Sequence, residues 1–420
     1  MHLRRVLLLC WRDTGHPQGG GSERYLEQVG TQLARRGVDV TLRTAGYPGA
    51  AADEDRDGIR ISRGGGRLSV YPRALTAIAA GRLGFGPLAG ELPDAIIDTQ
   101  NGVPFFARLL LGQRVVVLVH HGHREQWPVA GRLMGRFGWW IESTLSPLVH
   151  RRNQYLTVSL PSAEELVGLG VDAERIAVVR NGVDPIPVGI PVGGVETRAP
   201  GPTIGVLSRL VPHKQIEDAI DVLVALRPHI PDLRLDIVGG GWWEQNLRDY
   251  AAEQGVAEAV TFHGHVDEPT KHRLIGRWWV HLMPSRKEGW GLAVVEAAQH
   301  GVPTVGYRTS RGLTDSIIDG VTGLLVDGYH DDDARPGAVE GMGRAAHDLL
   351  TDRRRRAELG EKARARTEEF SWEQCADGVA AVLTAVAAGA DYRSGLVPPE
   401  RTPSEREPTE SIDAAPRASA

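Results

Sequence analysis

Two glutamates separated by seven residues, Glu288 and Glu296, bracket a turn that reads Glu288-Gly289-Trp290-Gly291-Leu292. A carboxylate repels phosphate but accepts hydrogen bonds from hydroxyls, so such a pair suits a ligand rich in sugar hydroxyls. The plainer reading makes Glu288 an acid near a helix N-terminus and Glu296 a helical surface charge. Glu296 is flanked by apolar residues on both sides, which favours a partly buried, hydroxyl-bonding role. Arg209 and Lys214 follow the apolar run Thr203 to Leu207. Two cations at the carboxyl end of a parallel strand lie where open α/β sheets bind ligands, and they fit a diphosphate. Lysine is scarce: Lys214, Lys271, Lys287 and Lys362 are the only four among 48 Lys and Arg residues. In a chain that selects arginine, a single lysine has either a functional reason or a surface accident behind it. Hydroxyl-seeking acids beside diphosphate-seeking cations together describe a nucleotide sugar.

Near the start, Gly19-Gly20-Gly21-Ser22-Glu23 joins a first apolar run to a helical pattern. A glycine turn lets backbone approach a ligand, and the helix end offers N–H groups to an anion or a sugar hydroxyl; a turn that merely redirects the chain is the alternative. The spacing is not G-x-G-x-x-G and no ribose-binding acid follows at the expected distance, which disfavours a nicotinamide cofactor. His120, His121 and His123 end the run Val115 to Val119. Zinc is disfavoured there, because adjacent residues leave a strand on opposite faces and no matching carboxylate or cysteine pattern follows. No metal is expected. Gln100-Asn101, after the run ending near Asp98, is placed at the same cleft as an acceptor contact.

The elements that must carry these residues are short apolar runs between helical patterns: Val6–Leu9, Val38–Leu42, Ala95–Asp98, Val115–Val119, Leu156–Ser159 and Ile176–Val179. Apolar on both faces, they describe a parallel sheet covered by helices. The pattern pauses over the proline- and glycine-rich residues 185–202 and restarts at Thr203–Leu207, Leu235–Val238, Ala259–Phe262, Val280–Met283, Pro303–Gly306 and Leu324–Val326. An α/β protein of two Rossmann-like domains follows, 1–184 and 203–370, with a helix from Glu373 to Ala387 within 371–390 and a tail, 391–420, expected to be disordered.

The 420-residue length suits two domains, and no apolar run approaches the ~18 residues of a membrane span. A net charge of −5 disfavours a general nucleic-acid binder. Cys10 and Cys375 are the only cysteines, which excludes a disulfide framework and fits a reducing cytoplasm. Met1 to Cys10 is too short in its apolar part for a signal peptide and reads as a strand. Asp331-Asp332-Asp333 reads as a solvated loop rather than a metal site. The basic aromatic segment from Arg132 to Arg152 is weighed between an anionic membrane face, which would place the protein at the inner surface of the membrane, and a helix packed on the first domain; packing is favoured, because Trp and Phe bury large areas in cores.

In this order the motifs resemble the retaining GT-B glycosyltransferases of family 4, over the chain up to the helix after Trp372. The Gly-Gly-x-Glu turn, Val158-Ser159, Arg180-Asn181-Gly182-Val183-Asp184, Ser208-Arg209-Leu210 with Lys214, and the glutamate pair carry the resemblance. It implies that Arg209 and Lys214 bind the donor diphosphate, Glu296 the ribose, and Glu288 with the amides of Gly289, Trp290, Gly291 and Leu292 the transferred sugar. Gly20 and Gly21 would close over the donor, and His120 would stand near its sugar. Glu23, Gln100, Asn101, His121 and His123 are the expected acceptor side, the acceptor being a small molecule, glycan or lipid. No cofactor is implied beyond the nucleotide-sugar donor. A sugar-nucleotide epimerase of the same architecture and a non-catalytic partner subunit are the rival readings; the second is disfavoured because both cations and both glutamates are present.

Overall fold

The computed structural model describes residues 3–17, 19–90, 92–124, 127, 131–193 and 197–392. Its first sheet contains β1 (Arg5–Leu9), β2 (Asp39–Thr44), β3 (Asp53–Arg56), β4 (Ile59–Arg63), β5 (Ala95–Thr99), β6 (Val115–Val119), β7 (Gln154–Thr157) and β8 (Ile176–Val178). Their order is β3-β4-β2-β1-β5-β6-β7-β8, parallel throughout except for β3 against β4. The second sheet contains β9 (Thr203–Leu207), β10 (Arg234–Val238), β11 (Val260–Gly264), β12 (Val280–Met283), β13 (Thr304–Tyr307) and β14 (Gly323–Val326). It is wholly parallel, in the order β11-β10-β9-β12-β13-β14. This is a GT-B architecture, two α/β domains whose strands end on a shared cleft.

Burial explains the composition of the strands. All five residues of β6, Val-Val-Val-Leu-Val, are buried, as helices cover both faces. Burying each such side chain contributes about 1.5–3 kcal/mol, which unbroken apolar runs can supply and alternating ones cannot. The final helix, Trp372–Ala387, starts at a capping box in which Ser371 and Gln374 bond each other's backbone N–H. It returns to the first domain: Val379, Val382, Leu383 and Val386 join the core formed by β1 and the helix Gly21–Arg35.

Three expectations need correction. First, β3 and β4 form a hairpin that the apolar-run criterion passes over, since β3 is Asp-Glu-Asp-Arg, a charged edge strand. Its turn is Asp57-Gly58, both at positive φ, the residue pair a two-residue hairpin loop requires. Second, the helix Arg132–Trp140 leaves Phe137 and Trp140 outside, with Trp139 half-buried. It buries Gly135 and Gly138 instead, and a Cβ at Gly138 would lie 2.2 Å from the Trp127 ring. Because the glycine face is the one held against the domain, Leu133, Met134, Phe137 and Trp140 point outward and are 86%, 56%, 57% and 47% exposed. Third, Asp391 and Tyr392, the first two residues of the segment expected to be disordered, make contacts with the first domain. Arg175 pairs with Asp391 at 2.7 Å and the Tyr392 N–H donates to Gln154 Oε1; the remainder, 393–420, lies outside the described residues.

Candidate active site

The second domain brings the predicted cation and acid together. β9 delivers Arg209 and, one turn later, Lys214; β12 delivers the loop holding Glu288. Lys214 Nζ stands 2.5 Å from Glu288 Oε1, both side chains largely buried. Arg209 is exposed to the cleft and makes no ion pair among the described residues. Packing around it and then the like charge of Arg12, from the first domain, lower its pKa. A free cation held near another cation is arranged for an incoming anion.

Glu288 leads into the helix Leu292–Gln299 through Gly291, whose φ of 94° only glycine adopts without strain. The start of that helix thus lies in the same short loop as Glu288, the partner of Lys214. One turn along, Glu296 Oε1 lies 2.6 Å from Lys271 Nζ, and Lys271 also holds Glu268 at 2.7 Å. Burial raises the Glu296 pKa while Lys271 opposes the shift. The partly buried role read for Glu296 matches its position; its lysine partner was missed. Three of the chain's four lysines now have carboxylate partners here, the third being Lys287 with Glu165 at 3.0 Å. Lysine scarcity was the signal that could have found Lys271 and Lys287 too.

The first domain closes the site by backbone. A Cβ on Gly289 would fall 2.7 Å from the His120 carbonyl oxygen, and Ser159 Oγ donates to the Gly289 carbonyl at 2.6 Å. Hence only glycine lets the two domains approach here. His120 stacks edge-on against Tyr25, and its Nε2 is buried without a hydrogen-bond partner. Burial, and then His123, push its pKa down to about 4, so the ring is neutral at pH 7. Trp290 contributes backbone only: its ring is buried against Phe370, and Nε1 donates to Asp315 Oδ2, the acceptor also of a bidentate Arg180. Gly20 caps the helix Gly21–Arg35, and a Cβ on Gly21 would meet nothing within 4 Å, leaving room above the turn.

The acceptor-side expectations fare differently. Glu23 is buried and fully engaged, one oxygen accepting from the Gly20 N–H and the other from Arg12 Nε at 3.0 Å. It positions the glycine turn and Arg12, a cation the sequence reading missed, and offers an acceptor nothing directly. Gln100 is likewise buried, its Oε1 accepting from Ser146 Oγ, so it braces the helix above it instead of lining the cleft. Asn101 is half-buried, with Nδ2 against Cys10 Sγ. His123 bonds the buried Glu142 through Nδ1 at 2.9 Å, and His121 stacks on His123. Among the described residues no three His, Cys, Asp or Glu side chains are grouped to hold a metal.

Family models match both halves of the chain: Glycosyltransferase Family 4 over residues 19–186 and Glycosyl transferases group 1 over residues 196–366. The chain is 30% identical over 366 residues to a GDP-mannose-dependent alpha-(1-6)-phosphatidylinositol monomannoside mannosyltransferase of Mycolicibacterium smegmatis, covering 82% of this chain and 89% of that protein. It is also 30% identical to a glycogen synthase of Mycobacterium tuberculosis, covering 92% and 95% of the two chains. Among solved structures, the sucrose-phosphate synthase from Thermosynechococcus elongatus superposes with a TM-score of 0.74 at 19% identity, over 92% of this chain and all of that one, a likeness of fold. With the Lys214–Glu288 pair at the mouth of two facing α/β domains, the chain belongs to glycosyltransferase family 4, the glycosyl transferases group 1, and is a nucleotide-sugar-dependent enzyme.

Proposed function

We propose that this enzyme transfers a sugar from a nucleoside-diphosphate donor, with retention of anomeric configuration and without a metal, to a hydroxyl of a lipid acceptor at the cytoplasmic face of a membrane. The observation that carries the donor half is the Lys214–Glu288 pair at a helix N-terminus, with unpaired Arg209 beside it. Negative charge develops on the departing diphosphate, where Arg209, Lys214 and the N–H groups after Gly291 can stabilise it. Positive charge develops at the anomeric carbon, where Glu288 can oppose it. The neutral His120, with Nε2 unpartnered, is suited to bond a sugar hydroxyl without adding charge. Because Glu288 is neutralised by Lys214, it is a poor nucleophile, which supports departure and attack on one face of the sugar.

The acceptor half rests on the outward row Leu133, Met134, Phe137 and Trp140, with Arg132 and Arg136 on the same helix. Apolar side chains flanked by arginines suit an anionic lipid surface. The helix is joined to the cleft, since Glu142, just beyond it, holds His123. No described helix is long and apolar enough to cross a membrane. A phosphatidylinositol-linked acceptor named for the Mycolicibacterium relative agrees with this surface better than the polysaccharide named for the glycogen synthase.

The test is incubation of the purified chain with GDP-mannose, and separately with other nucleotide sugars, with and without phosphatidylinositol vesicles. Nucleoside diphosphate release dependent on vesicles, with a glycolipid whose anomeric coupling matches the donor's, is the expected result. Release of a free sugar isomer without acceptor would replace this reading with an epimerase, and an inverted product would remove retention.

A further inference from the structure

A buried arginine of the first domain, Arg43, lies beneath a glycine-rich turn outside the set of cations described above. β4 runs into Gly64-Gly65-Gly66 and then into the helix Val70–Arg82. Beneath that turn lies Arg43 of β2, whose register partners are Leu9 of β1 and Ser62 of β4. Arg43 is only 5% exposed. Its Nη1 donates to Ser62 Oγ at 2.9 Å; Nε is buried with no hydrogen-bond partner, and no carboxylate pairs with the guanidinium among the described residues. The next inward arginine of this sheet is treated quite differently: Arg63 is neutralised by Asp13 at 2.6 Å and Glu54 at 2.7 Å. Leaving a buried cation without a carboxylate partner is costly.

The glycine turn is shaped around this cation. A Cβ on Gly64 would fall 2.1 Å from Arg43 Nη2 and 2.9 Å from Cζ, so a side chain there would push the guanidinium out of its present place. The turn is fixed to the end of β2, as the Gly64 N–H donates to the Thr44 carbonyl and the Gly46 N–H to the Gly65 carbonyl. The helix it opens has no side-chain cap on its N-terminus and no acidic residue in its first turn. Arg67 stands exposed in the turn. The Gly66 N–H is taken by Ser69 Oγ and the Val70 N–H by the Gly66 carbonyl, so the charge available at this turn is that of the two arginines, Arg67 exposed above it and Arg43 buried below with Nε unpartnered.

We propose that the turn Gly64–Ser69, with Arg43 below it and Arg67 above, binds a phosphate group carried by the acceptor. This rests on the acceptor reading given above and adds the chemical group that the acceptor presents. The site reaches the cleft through Tyr71 of the same helix, which packs on Phe105 with ring centroids 4.7 Å apart and belongs to the apolar cluster that includes Trp11. Arg12 stacks on Trp11 and stands next in line toward Arg209, so an acceptor held by its phosphate here would extend its hydroxyls toward the donor.

The experiment is calorimetric titration of the full-length protein with inorganic phosphate while GDP saturates the donor cations, comparing wild type with Arg43→Met and Arg43→Lys. Wild type should bind phosphate, Arg43→Met should bind it about tenfold more weakly or not at all, and Arg43→Lys should retain part of the affinity. Thermal unfolding separates this from a packing role: with its unpaired charge removed, Arg43→Met should unfold at or above the wild-type temperature in phosphate-free buffer and lose the stabilisation that phosphate gives wild type. Equal phosphate affinity in wild type and Arg43→Met, or a destabilised Arg43→Met still stabilised by phosphate, overturns the proposal. Gly64→Ala, which displaces the guanidinium, should reproduce the loss. Binding to phosphatidylinositol vesicles then identifies the source: a parallel loss in Arg43→Met assigns a lipid headgroup, and an unchanged vesicle affinity assigns a small soluble phosphate ester. GDP affinity, read in the same titrations, fails independently if the donor reading is wrong.

Discussion

Lys214 Nζ approaches Glu288 Oε1 to 2.5 Å, so the cation proposed for the diphosphate neutralises the acid proposed for the sugar. Each therefore holds the other in place, and neither charge is left unpaired in a largely buried position. Glu288→Gln should lower turnover by ~10²-fold or more, because the amide cannot oppose positive charge at the anomeric carbon. Nucleoside-diphosphate affinity should stay level or tighten, since Lys214 is released. Lys214→Ala should do the opposite and weaken diphosphate binding by about 1.5–3 kcal/mol. Steady-state kinetics with nucleotide titration reads both; wild-type turnover in Glu288→Gln would discard the catalytic role.

The second pair differs in its pH response. Burial raises the Glu296 pKa and Lys271 holds it down, so Lys271→Met should let it rise further. A carboxylate that accepts from ribose hydroxyls binds in its charged form. Nucleotide affinity should consequently be lost as pH falls, and the loss should begin at a higher pH in Lys271→Met than in wild type. Titration with nucleoside diphosphate from about pH 4, near the ordinary glutamate value, up to about pH 8 checks this, and parallel pH profiles would remove Glu296 from the nucleotide site.

How much of this was legible follows from which forces leave a trace in the sequence. Strands β1, β6 and β9 announce themselves because both faces must be apolar. Strand β3 is Asp-Glu-Asp-Arg on an edge, where no burial constrains it, and only the Asp57-Gly58 turn signalled it. Glu288, Arg209 and Lys214 could be read because residue type and strand ends place them at a cleft. Glu23 and Gln100 were misassigned because nothing local says that their hydrogen-bond capacity is used internally, by Gly20 and Arg12 in one case and Ser146 in the other. The helix Arg132–Trp140 was misjudged for a related reason: packing chose the glycine face, and tertiary contact alone decides which of two faces turns inward.

Ion pairs across the cleft should regulate its opening. Lys287 bonds Glu165, and Arg311 bonds Glu164 at 3.0 Å, each joining the second domain to the first. A double substitution, Glu164→Gln with Glu165→Gln, should favour the open form and enlarge the radius of gyration without nucleotide, while saturating donor restores the compact value. Small-angle scattering decides; an unchanged radius in the unliganded variant would mean that these pairs do not hold the domains together.

Acid should destabilise the fold through histidines buried neutral. Burial lowers the pKa of His281 to about 3, and that of His150 to about 4. The unfolded chain protonates them near pH 6.5 and the folded chain resists, so their contribution is intact above pH 6.5 and is lost as pH falls toward 4. Each group adds about 1.4 kcal/mol per pH unit to the slope in that window. His281 bonds Thr304 Oγ1 at 3.0 Å, a contact glutamine can imitate without titrating. Chemical denaturation of His281→Gln should show a shallower loss of stability between pH 6.5 and 4; an identical slope would mean that His281 is charged in the fold.

The outward row on Arg132–Trp140 gives the sharpest separation of binding from chemistry. Leu133, Phe137 and Trp140 touch solvent, and the helix is held by Gly135 and Gly138 on its other side, so serine at the three outer positions should cost the fold little. On a membrane the same three side chains would bury apolar surface worth about 1–3 kcal/mol each. Replacing all three with serine should therefore weaken sedimentation with anionic vesicles by 10²-fold or more, raise the apparent KM for a vesicle-borne acceptor, and leave nucleotide affinity and donor hydrolysis in water untouched. A charge-only attachment would instead respond to Arg132→Gln with Arg136→Gln and fade with salt. Vesicle affinity unchanged by the three serines, together with a shift from dimer to monomer on sizing columns, would assign the row to a contact between two copies of the chain and take the membrane out of the proposal.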